Sequence, residues 1–222
     1  MKISKSTFQF LKDLKVNNDR DWFNANKDRY KQAKEEFDQF INALIAEIAK
    51  FDPTVAHFTA KECVFRIYRD VRFSKDKSPY KTHFGGHITS APKKSEIHTR
   101  AGYYIHLEPG ASMLAGGAYL PESKWLRSIR EKICSETKDF KKILNNRAFK
   151  ETFGEIEGEK LKRPPRDFPG DHPEIEILKQ KSFLATHKLK DKDVLANDFV
   201  KHSGKVFKVL APFDAFLNAA NT

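Results

Sequence analysis

Histidine is the side chain whose charge changes near neutral pH, and this chain of 222 residues carries eight. Three of them stand near clustered arginines and tyrosines: His83, His87 and His106. In extended chain, alternate side chains share a face. That rule puts His83 with His87, Tyr104 with His106 and Glu108, and Arg66 with Tyr68, Asp70 and Arg72. If those faces coincide, one sheet surface presents imidazoles, phenols, guanidinium groups and a carboxylate together. Such a set can bind an anion, move protons near neutral pH, or hold a metal. His83, His87 and His106 are therefore the candidate acid–base groups. Arg66 and Arg72 are candidate grips for phosphate or carboxylate, because a planar guanidinium engages two oxygens at once. Tyr68, Lys77, Tyr80, Lys81 and Tyr104 complete the candidate wall. Arg69 alternates with Phe65, Ile67, Val71 and Phe73, so its expected role is structural, met by a carboxylate or by backbone carbonyls. No metal site is assigned. Four residues of strand at about 3.3 Å each separate His83 from His87 by roughly 13 Å, and only a bend at Gly85-Gly86 would close that gap.

Charge points to the same stretch. The chain has 41 Lys and Arg against 30 Asp and Glu, a net charge of +11. Residues 66–81 hold six basic and two acidic side chains, and residues 160–166 hold four basic and no acidic ones. These two short segments supply +8 of the net +11, which leaves the remainder nearly balanced. The excess is thus local, as an anion site requires, and not a diffuse basic coat. Lys162, Arg163 and Arg166, on a loop stiffened by Pro164-Pro165, would supply a second wall if the fold brings that loop over the sheet.

The elements that must position these residues read as mixed helix and sheet. Ser4 or Ser6 can cap a first helix carrying Phe8, Leu11 and Leu14, and Asn17-Asn18-Asp19 breaks it and offers a new cap. Apolar residues from Trp22 to Ile48 recur every three or four positions, which predicts a long amphipathic helix ended by Asp52-Pro53. Strands are expected over 63–73, 84–90, 101–108, 112–119 and 182–189, from alternation and aromatic or β-branched content. Pro109-Gly110 predicts a hairpin, and Gly116-Gly117 a bulge or a close backbone approach. Helices are expected from Pro121 to Phe149, a short one over 173–181, and one or two over 191–219. The expected fold class is α+β: a single domain over 1–222, with N-terminal and C-terminal helices packed on an antiparallel sheet.

Several classes are excluded or disfavoured. With 32% charged residues, no stretch approaches the roughly 20 apolar residues of a spanning helix. Nineteen Phe, six Tyr and two Trp argue against a disordered chain. No apolar segment follows the basic N-terminus, and two cysteines, Cys63 and Cys134, suit buried thiols in a reducing cytoplasm. Phosphate-loop, dinucleotide-fingerprint, HExxH, CxxC and serine-elbow motifs are absent.

The run Phe65-Arg66-Ile67-Tyr68-Arg69-Asp70-Val71-Arg72-Phe73-Ser74-Lys75-Asp76-Lys77-Ser78-Pro79-Tyr80-Lys81-Thr82-His83 closely resembles the core motif of a widespread bacterial domain-of-unknown-function family, also present in fungi and usually described as conserved hypothetical. The resemblance extends to Asn18–Phe23, to the hairpin from Gly102 to Gly117, and to Leu161–Arg166, His172-Pro173 and Leu178–Lys181. It implies one full-length domain and no particular activity, cofactor or oligomeric state.

The residues therefore favour a cytoplasmic protein that binds an anionic, phosphate-bearing ligand in a basic and aromatic pocket, with histidine acid–base chemistry if it is an enzyme. The alternatives are sequence-tolerant nucleic-acid binding, and a metal-dependent hydrolase using Asp70, Asp76 or Glu108 with a histidine.

Overall fold

In the computed structural model, residues 2–91 and 96–221 are described. About half of the chain is helical, and four strands form one antiparallel sheet in the order β1-β2-β3-β4: β1 (Phe84–Ile88), β2 (Gly102–Leu107), β3 (Met113–Ala118) and β4 (Phe183–Lys188). The α+β class expected from the sequence is the one observed. No helix among the described residues is long and apolar enough to cross a membrane. The chain divides into two compact units, each assembled from three separated stretches. The first contains Met1–Ile88, Tyr104–Leu114 and Lys188–Lys205; the second contains Thr89–Tyr103, Ala115–His187 and Val206–Thr222.

In the first unit, Ser4 caps α1 (Lys5–Val16) by accepting from the Thr7 amide at 3.2 Å. Asp19 caps α2 (Arg20–Ala25) through the Trp22 amide at 2.8 Å. The predicted long helix is interrupted at Asn26, whose amide bonds back to α2 carbonyls, and resumes as α3 (Lys27–Ile48). The apolar stripe of α3, Phe37, Phe40, Ile41, Leu44, Ile45 and Ile48, is buried. Phe37 stacks on Phe84 of β1 at 5.3 Å and Phe40 on Phe199 at 4.8 Å. Gly86 permits the approach of α3 to the sheet, since a Cβ there would meet Ile41 at 3.0 Å. The short α9 (Asp191–Val194) lies in the same unit.

The stretch 63–73 is not the expected strand. Thr59 and Glu62 form a capping box that draws 60–63 into a turn of helix, α4 (Ala60–Cys63). Beyond it the chain pairs only intermittently, through isolated antiparallel bridges Val64–Gly86 and Tyr68–Tyr80. Pro79, opposite Arg69, has no N–H to extend the ladder; it only accepts, from the Arg69 amide at 2.9 Å. The expected alternation nevertheless holds from 65 to 71. Arg66, Tyr68, Asp70 and Arg72 are exposed, and Phe65, Ile67, Arg69 and Val71 are buried or half-buried. It fails at Phe73, which is 96% exposed.

In the second unit, α5 (Ser123–Ser135), α6 (Thr137–Leu144) and α7 (Arg147–Phe153) occupy the region where helices are expected, with Asn146 capping α7 through the Ala148 and Phe149 amides. Phe140 and Phe149 pack with Phe213 and Phe216 of α10 (Phe199–Asn218), a helix that begins in the first unit. Buried Arg130 of α5 donates to the carbonyls of Leu178, at the end of α8 (Ile175–Leu178), and Gln180. The close approach expected at Gly116-Gly117 is present: a Cβ on Gly117 (φ +111°) would lie 2.0 Å from the Phe183 carbonyl oxygen. Cys63 is buried and Cys134 half-buried, both as thiols.

Candidate functional site

β2 shows the alternation that matters most. Tyr103, Ile105 and Leu107 are buried on one face, and Tyr104, His106 and Glu108 are half-buried on the other. The strand ends in the hairpin at Pro109-Gly110, and this turn anchors Glu108. Its amide donates to Ser112 Oγ at 3.1 Å, its carbonyl accepts from Ser112 Oγ and the Ala111 amide, and the Gly110 amide donates to Asp191 at 2.7 Å. A carboxylate whose own backbone is pinned in this way is held for its side-chain chemistry.

Along that face runs a hydrogen-bonded chain. Tyr104 Oη lies 3.1 Å from His106 Nδ1, and His106 Nε2 lies 3.0 Å from Glu108 Oε2. An ionised carboxylate only accepts, so in a neutral ring the proton belongs on Nε2 and the Nδ1 lone pair accepts from the Tyr104 hydroxyl. The imidazole and carboxylate side chains are 13% and 16% exposed, enough shielding for the relay to outcompete water. Glu108 also receives Lys15 Nζ at 3.2 Å and Thr82 Oγ1 at 3.3 Å on its other oxygen. Burial pushes the Glu108 carboxyl up, but His106 and Lys15 outweigh it and hold the group below its ordinary value.

His83 enters from the neighbouring strand. It sits immediately before β1, and its ring centroid is 4.1 Å from that of His106. Gly85, two residues on, has no side chain to displace Tyr104; a Cβ there would come within 3.2 Å of the phenol oxygen. Burial, then the His106 ring and the Lys81 ammonium, push His83 down to about 4, against the opposing pull of Glu108. His83 is thus a neutral imidazole at physiological pH. Lys81 is half-buried with its ammonium 5.4 Å from the Phe65 ring, and burial, followed by the charge of Arg66, lowers its affinity for the proton.

The structure sorts the remaining sequence-predicted residues. Arg66 is exposed beside Lys81. Tyr68 is 49% exposed, whereas its bridge partner Tyr80 is 5% exposed and stacked on Phe23 at 3.9 Å, with its backbone bonded to both ends of the Asn18 amide. Tyr80 therefore serves the core. Arg72 grips Asp70 with two hydrogen bonds, and Lys77 donates to the Val71 carbonyl, so both are engaged within the tip loop 70–78. Arg69 closes that loop on Asp76 and the Ser78 carbonyl, as a structural arginine should. His87 lies further along β1, half-buried, and is not one of the three donors that cluster below. Lys162, Arg163 and Arg166 are exposed on the second unit. Sequence reasoning missed Lys15 and Thr82, which carry no local signal. It also weighed a shared metal along one strand, His83 with His87, where the contact is across strands, His83 with His106.

A sequence model of DUF2461, described as a conserved hypothetical protein, matches residues 6–216. The chain belongs to the DUF2461 family. Membership spans nearly the whole chain, both compact units included, and agrees with the resemblance read from the central motif. Searches of curated proteins and of solved structures return no match for this DUF2461 chain.

Proposed function

We propose that this protein binds an anionic, phosphate-bearing small ligand over the face of Tyr104, His106 and Glu108, with His106 moving a proton on it. The observation that carries the reading is the Tyr104–His106–Glu108 chain lying against His83, with Lys81 and Arg66 nearby. Each member has a task. Glu108 fixes the His106 tautomer, and the Nδ1 lone pair is the base that a ligand hydroxyl would reach by taking the place of the Tyr104 proton. Tyr104 donates to the ligand once displaced. Lys81 and exposed Arg66 supply the positive charge that draws in and holds the anion, and neutral His83 adds a hydrogen-bonding ring. The two thiols fit a reducing, cytoplasmic setting.

Thermal unfolding against a panel of nucleotides and phosphorylated metabolites tests this. A ligand present at 100 times its dissociation constant stabilises by about 2.7 kcal/mol. Stabilisation by a subset of the panel, reduced in Arg66→Ala and His106→Gln, is expected; a flat response in the wild type removes the proposal. A second reading has its own support. Phe73 is 96% exposed on the basic tip loop, with the Arg72 guanidinium 5.8 Å from its ring, which suits stacking on single-stranded nucleic acid. Binding of an unstructured oligonucleotide that falls steeply with salt and is lost in Phe73→Ala would favour it.

A further inference from the structure

We infer that His83, His106 and Glu108 form a binding site for a divalent first-row transition-metal ion of the zinc class. One ligating atom from each residue lies within 4.8 Å of the others, a grouping drawn from two neighbouring strands and the hairpin turn. Metal–ligand bonds of about 2.0–2.2 Å in a tetrahedral site place ligand atoms about 3.3–3.6 Å apart. His106 Nε2 and Glu108 Oε2, at 3.0 Å, already stand near that spacing. His83, whose ring centroid is 4.1 Å from that of His106, completes the set of donors within 4.8 Å.

The surroundings also suit a metal. A histidine that ligates through Nε2 carries its proton on Nδ1 and needs an acceptor there. Tyr104 Oη, 3.1 Å from His106 Nδ1, is in place for that role with its hydroxyl reversed from donor to acceptor. The second Glu108 oxygen is held by Thr82 and Lys15, so the carboxylate is oriented through the atom that would not ligate. Two imidazoles and one carboxylate favour zinc, cobalt or iron(II) over magnesium or calcium, which prefer oxygen alone. Three protein ligands also leave a position open, as in metal sites that bind a further ligand. The inference does not rest on the anion-binding reading, because the donor geometry stands without any anion; the two readings use alternative proton positions on the His106 ring.

The test uses the full chain, stripped with a chelator and titrated with Zn2+ by calorimetry and with Co2+ by visible absorption, in buffer lacking phosphate. One ion per chain is expected, with the intense visible bands of tetrahedral Co2+. His83→Ala, His106→Ala and Glu108→Ala should each weaken binding by 100-fold or more. Tyr104→Phe, which removes the acceptor behind His106, should weaken it by about tenfold. His57→Ala, at an exposed histidine elsewhere, should leave it unchanged. Absence of stoichiometric uptake by the wild type overturns the inference whether or not any variant folds. So does uptake that survives loss of His83 and Glu108. The phosphate-ligand panel, run separately in chelator, reports on the anion reading alone, so either idea can fail without the other.

Discussion

His83 offers the sharpest quantitative prediction. Its ring is held at about 4, from an ordinary 6.5, by burial first and then by the His106 ring and the Lys81 ammonium, with Glu108 opposing. Between those two values the unfolded chain takes up a proton that the folded chain refuses. Stability is therefore full above pH 6.5, declines as pH falls towards 4, and takes no further contribution from this group below that. At about 1.4 kcal/mol per pH unit the whole interval sets a ceiling of about 3.5 kcal/mol, and partial exposure of the ring reduces it to about 2 kcal/mol. His83→Asn removes the titrating group while Lys81, His106, Glu108 and Lys15 remain. Urea unfolding of both proteins between pH 7.5 and 4.5, in chelator, reads the difference. The wild type should lose about 2 kcal/mol more than the variant over that range, or about 4–8 °C in melting temperature for a chain of this length. Parallel curves for the two proteins would refute the burial and charge argument for this ring.

Other expectations concern the frame that holds the site. Gly117→Ala combines a positive φ with a Cβ 2.0 Å from the Phe183 carbonyl and should cost more than about 3 kcal/mol in denaturant unfolding. Gly110→Ala, also at positive φ (+79°) but with nothing within 4 Å, should cost about 1 kcal/mol. Equal losses would show that the close β3–β4 approach is not what fixes Gly117. Arg69→Ala should open the 70–78 loop to limited proteolysis, because it releases Asp76 and the Ser78 carbonyl, whereas Arg72→Ala, at an exposed side chain paired with Asp70, should leave the cleavage rate unchanged. Arg130→Ala leaves the Leu178 and Gln180 carbonyls without their buried donor and should cost about 3 kcal/mol in the same unfolding assay.

The part of this site that follows from spacing within one strand was legible. Tyr104, His106 and Glu108 alternate, and Pro109-Gly110 marks the turn behind them, so their shared face and its end are written locally. Contacts between strands were not. His83 meets His106 because β1 and β2 are neighbours in a particular register, and nothing in either segment records that register. Tyr80 illustrates the same limit: it shares residue type and charge context with its bridge partner Tyr68, and the two rings lie 5.5 Å apart, but Tyr80 is covered by stacking on Phe23 while Tyr68 stays 49% exposed. The stretch 63–73 looked like a strand because its alternation is real, yet the Thr59–Glu62 capping box claims its start and Pro79 weakens its pairing. The break at Asn26 inside the long N-terminal helix has no glycine or proline to announce it.

In the proposed function, His83 and His106 together receive the ligand. Long-range proton–nitrogen NMR of the imidazole rings, recorded while a stabilising phosphate compound is added, examines it residue by residue. The account predicts that the ring nitrogens of His83 and His106 shift in step with binding, at the same concentration dependence, while those of exposed His57 stay fixed. Stabilisation by the compound with both of these rings unmoved would contradict it.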